Sequence, residues 1–210
     1  AYLRVGTTIY KRVQQPLSSG RSIETLLAWN VETLRQDFGK DYLARIPKYD
    51  GFCTVPDHTN YRREIHGFLN RYEPIPFQPT EGDFPHIRDF LSHIFGEQVE
   101  MGYDYLQLLY LRPLQRLPVL LLVSSERNTG KTTFLNLLKL IFGGNVTFNT
   151  NEDFRSQFND DWAGKLLICV DEVLLNRRED SERIKNLSTA RSYKAEAKGC
   201  LLYTSDAADE

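Results

Sequence analysis

The second half of the chain alternates short strand-like runs with amphipathic segments. The runs stand at residues 119–123, 145–148 and 166–170, and segments of helical period follow them at 132–142, 152–158 and 180–190. Alternation of this kind favours parallel strands covered by helices. We therefore predict an α/β fold, with a parallel sheet flanked by helices over residues 116–199.

The first half of the chain has weaker periodicity. Residues 1–15 alternate as an exposed strand would, and Asn30 is placed to cap a helix that ends at Gly39. A second short helix is predicted at 41–46, and the Pro-rich stretch 47–85 reads as irregular. We predict an irregular α+β segment over residues 1–81.

Two amphipathic helices are predicted between these halves. The segments 85–95 and 101–111 have apolar residues at helical spacing, with Ile87, Phe90 and Leu91 on one face of the first. His86 and His93 lie seven residues apart on that helix, and we interpret them as polar neighbours rather than metal ligands. Residues 82–115 are therefore predicted to form a small helical domain.

Composition changes this picture little. Of 210 residues, 41% are hydrophobic and 26% are charged, which is ordinary for a globular chain and argues against disordered and fibrous classes. No apolar run approaches the ~20 residues of a membrane span, and no signal-peptide pattern opens the chain. We therefore expect no membrane partner. Three widely spaced cysteines favour a reducing compartment, so we expect a cytoplasmic location.

The last eleven residues, 200–210, differ in character from the rest. They resemble the in-frame translation of a transposase-type sequencing adapter; the alternative is a natural acidic tail. Without Asp206, Asp209 and Glu210 the formal net charge changes from −2 to +1. We expect that the natural protein is cut at or near Gly199 in this sequence, so that the C-terminal part of its sheet is missing.

Residues 125–132 match the phosphate-binding pattern G-x-x-x-x-G-K-[ST], with Ser125 at the first glycine. In such a loop, backbone N–H groups and a helix N-terminus surround the phosphates of a nucleotide. Lys131 would reach the β- and γ-phosphates as a catalytic cation, and the Thr132 hydroxyl would bind Mg²⁺. The predicted nucleotide-binding residues are Ser125, Asn128, Thr129, Gly130, Lys131, Thr132 and Thr133.

A second pattern supports the first. The apolar run 166–170 ends in Asp171 and Glu172, 40 residues beyond Lys131. Asp171 would hold Mg²⁺ together with Thr132, and Glu172 would act as general base for a hydrolytic water. The alternative is that both acids cap a turn. The combination favours a nucleoside triphosphatase, and the absence of a guanine-specific N-K-x-D motif favours ATP.

The segment 192–199 alternates as one arm of a hairpin would. Lys194 and Lys198 then lie on the same side, where they could bind a phosphate backbone. On charge alone, an ordinary surface is the stronger alternative for these lysines.

Together these motifs resemble motifs A, B and B′ of superfamily 3 helicases, and more narrowly the helicase domain of phage primase–helicase and primase–polymerase proteins. The resemblance implies an AAA+-like ATPase, usually a homo-hexamer, that moves along single-stranded DNA using ATP and Mg²⁺. It matches Lys194, and next Lys198, to a DNA-contacting lysine at a hairpin tip. It also implies a phage or mobile-element protein acting in a bacterial host, with a primase or polymerase module in the same full-length chain.

Two other functions stay open from the residues alone. One is a P-loop replication initiator or switch that binds nucleotide and DNA without unwinding; the other, less favoured, is a P-loop kinase. The resemblance places a sensor asparagine and an arginine finger beyond Gly199. We therefore expect no measurable ATPase or unwinding from residues 1–210 by themselves.

Overall fold

A computed structural model describes residues 1–16, 22–150, 162, 164–170, 182, 184–185, 192–195 and 203–206. The chain divides into two compact units. The first contains Ala1–Cys53 and Arg62–Arg71, and the second contains Thr54–Tyr61 and Tyr72–Glu210. The chain thus passes into the second unit, returns to the first, and enters the second again.

The first unit is built on a four-stranded sheet of order β3-β2-β1-β4 and a three-stranded sheet of order β5-β7-β6. Its strands and helices are β1 Tyr2–Val5, β2 Thr8–Pro16, β3 Ser22–Trp29, α1 Val31–Phe38, α2 Tyr42–Arg45, β4 Lys48–Tyr49, β5 Gly51–Cys53, β6 Glu64–Ile65 and β7 Phe68–Asn70. Short strands therefore lie within the stretch that the sequence predicts as irregular.

The N-terminal strand prediction needs correction. Residues 1–15 form the antiparallel pair β1 and β2 rather than one exposed strand. Gly6 has a φ of 56° at the turn, in the left-handed region that glycine tolerates. Leu3, Val5 and Ile9 are buried, so the alternation marks a half-buried sheet.

Helix α1 begins and ends as predicted. The Asn30 side-chain oxygen accepts hydrogen bonds from the backbone N–H groups of Glu32 and Thr33, at 2.7 and 3.4 Å. At the other end, the Gly39 N–H bonds to the Arg35 carbonyl, and Gly39 has a φ of 82°. These local signals fix the helix because each satisfies backbone groups that the helix leaves unpaired.

The second unit packs three helices around one apolar core. Its elements are α3 Pro85–Phe95, α4 Val99–Leu111, α5 Lys131–Phe142, β8 Val146–Asn149, β9 Leu167–Val170, β10 Ser192–Ala195 and β11 Tyr203–Asp206, with 3₁₀ turns at Gly96–Gln98 and Gly143–Asn145. All three long helices confirm the predictions to within two residues. The longest described helix, α4, has 13 residues, and none of the described helices could cross a membrane.

Helix α5 is the centre of this core. Phe134, Leu138 and Phe142 recur at every fourth position and are all buried. They pack with Leu91 of α3 and Leu109 of α4. The predicted helices at 152–158 and 180–190 lie outside the described residues, apart from helical backbone at three positions of the second, Glu182, Ile184 and Lys185.

Two of the predicted parallel strands are present as a pair. Strands β8 and β9 run parallel, with Val146 opposite Leu167 and Asn149 opposite Val170. Val146 and Cys169 of this pair belong to the core around α5. The described residues therefore contain a small parallel sheet in a mixed α/β fold.

The predicted strand at 119–123 is wrong for the described residues. This segment has no strand pairing there, and its side chains alternate rather than being buried throughout. Leu120 and Leu122 pack against the core, whereas Val119, Leu121 and Val123 are 61%, 66% and 79% exposed. A run of apolar residues predicts burial but does not supply the neighbouring strand that a strand requires.

Candidate functional site

The loop before α5 leads into the helix through residues in the left-handed backbone region. Gly130 has a φ of 88°, and its carbonyl accepts the first helical hydrogen bond from the Phe134 N–H at 2.9 Å. Asn128 also lies in the left-handed region, at a φ of 57°, whereas Ser125 does not. Serine at the first glycine position therefore brings no backbone strain, because Asn128 and Gly130 make the turn.

The Lys131 ammonium group lies at the start of α5, over the loop. It donates hydrogen bonds to the hydroxyl oxygens of Ser124 and Thr129, the second at 2.9 Å. The two hydroxyls are 3.1 Å apart, and that of Ser124 also donates to the Glu126 carbonyl at 2.7 Å. A cation thus stands at the positive end of a helix dipole. This arrangement attracts an anion.

A pocket of about 250 Å³ opens beside this lysine. Its polar wall includes Ser124, Thr129 and Lys131, and its apolar wall includes Phe95, Met101 and Leu121. The pocket therefore combines polar side chains of the loop with apolar side chains of α3 and α4.

Helix α3 also contacts the loop, which the sequence analysis missed. The His93 Nε2 atom lies 3.1 Å from the Thr129 carbonyl oxygen. A Cβ atom on Gly130 would lie 3.1 Å from the Phe90 ring and 3.4 Å from Ile94. Phe90, His93 and Ile94 share a helix face by their spacing, but nothing in the sequence relates that face to the loop.

The structure leaves the predicted acidic pair untested. Asp171 and Glu172 follow β9 in the sequence and lie outside the described residues. The neighbouring Asn149, at the end of β8, is 7% exposed, and its Oδ1 atom has no hydrogen-bond partner among the described residues. Of the predicted site, the structure therefore places the loop residues Ser125 to Thr133 but not the acids.

The predicted DNA-binding segment is described in part. Ser192–Ala195 forms strand β10 and pairs antiparallel with β11, with Lys194 opposite Thr204. Lys194 thus lies within a strand, and Lys198 lies in the connecting segment outside the described residues. The pairing strand belongs to residues 200–210, whose foreign origin stays a prediction.

Side-chain hydrogen bonds to backbone groups fix the residues that directly follow α5. Asn145 is 3% exposed and makes two of them with Glu73, accepting from its N–H at 2.9 Å and donating to its carbonyl at 2.8 Å. The Lys165 ammonium donates to the Gly144 carbonyl at 2.7 Å, and that of Lys139 donates to the Val146 carbonyl. Burial lowers the pKa of Lys139, and the negative charge of Glu73 opposes that shift.

An aromatic cluster lies against the C-terminal end of α5. The His58 ring stacks on Tyr110, with centroids 5.4 Å apart and planes 7° from parallel. Its Nε2 atom lies 3.1 Å from the Tyr72 hydroxyl, and its ring lies 5.6 Å from that of Phe142. Burial lowers the pKa of His58 and raises that of Tyr72. Burial thus favours the neutral forms of both His58 and Tyr72.

Comparison with known proteins shows which sequences this chain resembles. Residues 122–206 match a family described as "Family of unknown function (DUF5906)". Over 148 residues, 67% of the chain, the sequence is 24% identical to the DNA Primase-polymerase of Nitratiruptor phage NrS-1. The chain spans 20% of that protein's length.

Two solved structures have a fold similar to that of this chain. The apo structure of the NrS-1 C-terminal region matches with a TM-score of 0.67 at 19% identity, over 87% of this chain and 47% of that one. The A form of the same region matches with a TM-score of 0.66 at 18% identity, over 98% of this chain and 50% of that one. The chain therefore shares a mixed α/β fold with about half of the NrS-1 C-terminal region.

Proposed function

We propose that this region is the ATP-binding and ATP-hydrolysing part of a DNA helicase in a phage replication protein. One observation carries the proposal: the Lys131 ammonium stands at the N-terminus of α5, beside the left-handed Gly130 and two loop hydroxyls. Lysine and helix N-terminus together form the arrangement that binds nucleotide phosphates in P-loop proteins.

The relatives support the replication context. The curated relative is a DNA primase-polymerase of a phage, and the solved neighbours come from its C-terminal region. In our proposal the full-length protein also contains a primase or polymerase module and acts in the cytoplasm of a bacterial host. It assembles as a homo-hexamer around single-stranded DNA.

In this proposal, four residues carry out the binding and hydrolysis of ATP. Lys131 binds the β- and γ-phosphates of ATP, while Thr132 and Asp171 hold the Mg²⁺ that accompanies the nucleotide. The metal ion neutralises charge on the phosphates. Glu172 accepts a proton from the attacking water, and its position directly after Asp171 is its only support in the sequence.

The loop assignment is tested by ATP binding to the 210-residue chain with Mg²⁺, measured by calorimetry. Lys131→Ala should weaken binding by about 10- to 100-fold, because the phosphates lose a charge-assisted hydrogen bond. Lys40→Ala, which removes an exposed lysine of the first unit, is the matched control. Equal affinity of wild type and Lys131→Ala would overturn the assignment.

The DNA assignment needs a longer protein that contains this region. There Lys194→Ala should lower DNA-stimulated ATPase and unwinding while ATP binding stays intact. Removing one phosphate contact should also reduce the log–log salt slope of DNA binding by about one. Normal unwinding by the variant would make Lys194 an ordinary surface residue. Nucleotide-dependent DNA binding without DNA-stimulated turnover would instead favour the non-unwinding switch.

A further inference from the structure

One face of helix α3 lies against the phosphate-binding loop. Phe90 and Ile94 approach Gly130 so closely that a Cβ atom there would lie 3.1 and 3.4 Å from their side chains. His93, between them in sequence, reaches the Thr129 carbonyl oxygen at 3.1 Å. The helix thus meets the loop at two consecutive residues, by packing at one and by a hydrogen bond at the other.

Thr129 is held at two different atoms. Its hydroxyl bonds to the Lys131 ammonium at 2.9 Å, and its carbonyl bonds to His93. A carbonyl oxygen only accepts hydrogen bonds, so the Nε2 atom of His93 must carry the proton and donate it. When a phosphate draws Lys131 away from the hydroxyls, the carbonyl contact need not change, because it uses neither the lysine nor the hydroxyl group.

We propose that His93 is a positioning residue for nucleotide binding: it holds the backbone of Thr129 and Gly130 in the phosphate-binding form before the nucleotide arrives. This inference rests on the proposed ATP-binding function of the loop. It assigns to α3 a role that helical packing alone would not give, because His93 is exposed and outside the buried core.

The expected effect follows from preorganisation. A loop that is already ordered loses less conformational freedom on binding, so its ligand binds more tightly. Removing one hydrogen bond that orders the loop should weaken ATP binding by about 3- to 10-fold. The chemical step should change much less, since His93 contacts none of the reacting groups in this proposal.

The experiment compares three variants of the full chain for Mg²⁺–ATP affinity. His93→Leu removes the donor, and His93→Gln restores one, because a glutamine amide can also donate to the Thr129 carbonyl. His86→Leu is the matched control, since His86 is an exposed histidine near the start of the same helix. We expect weaker binding for His93→Leu and wild-type binding for the other two. Equal affinity of His93→Leu and wild type, or no rescue by glutamine, would overturn the inference.

A second measurement separates this inference from the proposed function. Amide hydrogen exchange of residues 126–131 without nucleotide should be faster in His93→Leu than in wild type, with unchanged exchange in β1 and β2. If the wild-type chain binds no ATP, the proposed function fails while this difference still tests positioning. Unchanged loop exchange in His93→Leu would overturn positioning even if ATP binds as proposed.

Discussion

Cations lie near both ends of helix α5, but the helix dipole favours a cation only at the C-terminal end. At the C-terminal end, Lys139 and Lys165 donate to the carbonyls of Val146 and Gly144. These carbonyls belong to residues that follow the helix, and cations near a helix C-terminus are stabilising because that end has partial negative charge. At the N-terminal end the structure also places a cation, Lys131, where the helix is already positive.

The two ends of α5 therefore differ in whether the nearby cations stabilise the helix. The lysines near the C-terminal end agree with the helix dipole, and Asn145, which follows the helix, bonds to the backbone of Glu73 from another part of the chain. The N-terminal end contradicts one rule, and a bound anion would remove the conflict. Local conflicts of this kind concentrate at functional sites, which supports the proposed binding of phosphate at this end of α5.

The largest expected effect concerns Glu172, the predicted general base. In a longer protein that hydrolyses ATP, Glu172→Gln should slow hydrolysis by about 10²- to 10⁴-fold while ATP still binds, because only proton transfer is lost. Single-turnover hydrolysis and ATP affinity measure the two effects separately. Loss of ATP binding in this variant would mean that Glu172 contributes to ATP binding itself.

The next effect tests the C-terminal end of α5. Asn145→Ala removes two hydrogen bonds to the Glu73 backbone and should lower the free energy of unfolding by about 2 kcal/mol. Urea denaturation measures this loss, and Asn136→Ala, which changes an exposed asparagine of α5, is the control. ATP affinity of the folded Asn145→Ala protein should not change. A change in affinity would show that the two ends are coupled.

A smaller effect compares two lysines directly. Lys165→Ala should lower the free energy of unfolding by about 1 kcal/mol, because the Gly144 carbonyl loses its charged donor. Lys131→Ala should change it by less than this, because the loss of the Lys131 hydrogen bonds to Ser124 and Thr129 opposes the gain from removing a cation at the positive end of α5. Thermal or urea denaturation without nucleotide measures both. If Lys131→Ala destabilises more than Lys165→Ala, the contrast between the ends is wrong.

The smallest effect is the pH dependence of the aromatic cluster. Burial holds the pKa of folded His58 below the ordinary 6.5, so below that pH the unfolded chain binds the proton more readily than the folded one. Stability from His58 is therefore complete above pH 6.5 and is lost as the pH falls below it. His58→Phe keeps a ring on Tyr110 and should reduce the fall in urea midpoint between neutral and mildly acidic pH. An unchanged fall would assign the titration to other groups.

Local features of this molecule are predictable from the sequence. The start of α1 at Asn30, its end at Gly39 and the loop leading into α5 depend on residues within a few positions of each other. Capping groups, glycine conformations and helical periodicity act over that distance. The same holds for Ser125, whose acceptability depends only on its own backbone conformation.

Features that depend on distant partners are not predictable in this way. Residues 119–123 have the composition of a strand but no strand partner in the described part of the chain, and β3 was missed although it pairs along its length with β2. His93 meets Thr129 from 36 residues away. Each of these depends on which elements become neighbours, and neither propensity nor periodicity contains that information.

The two hydrogen bonds between Asn145 and the Glu73 backbone can form only late in the synthesis of this region. Their partners are 72 residues apart, so at about 5–20 residues per second Glu73 is made roughly 4 to 14 s before Asn145. Helices α3 and α4 lie between them and can form within about a microsecond of becoming free. The residues of α3 and α4 are therefore available for seconds before the hydrogen bonds between Glu73 and Asn145 can form.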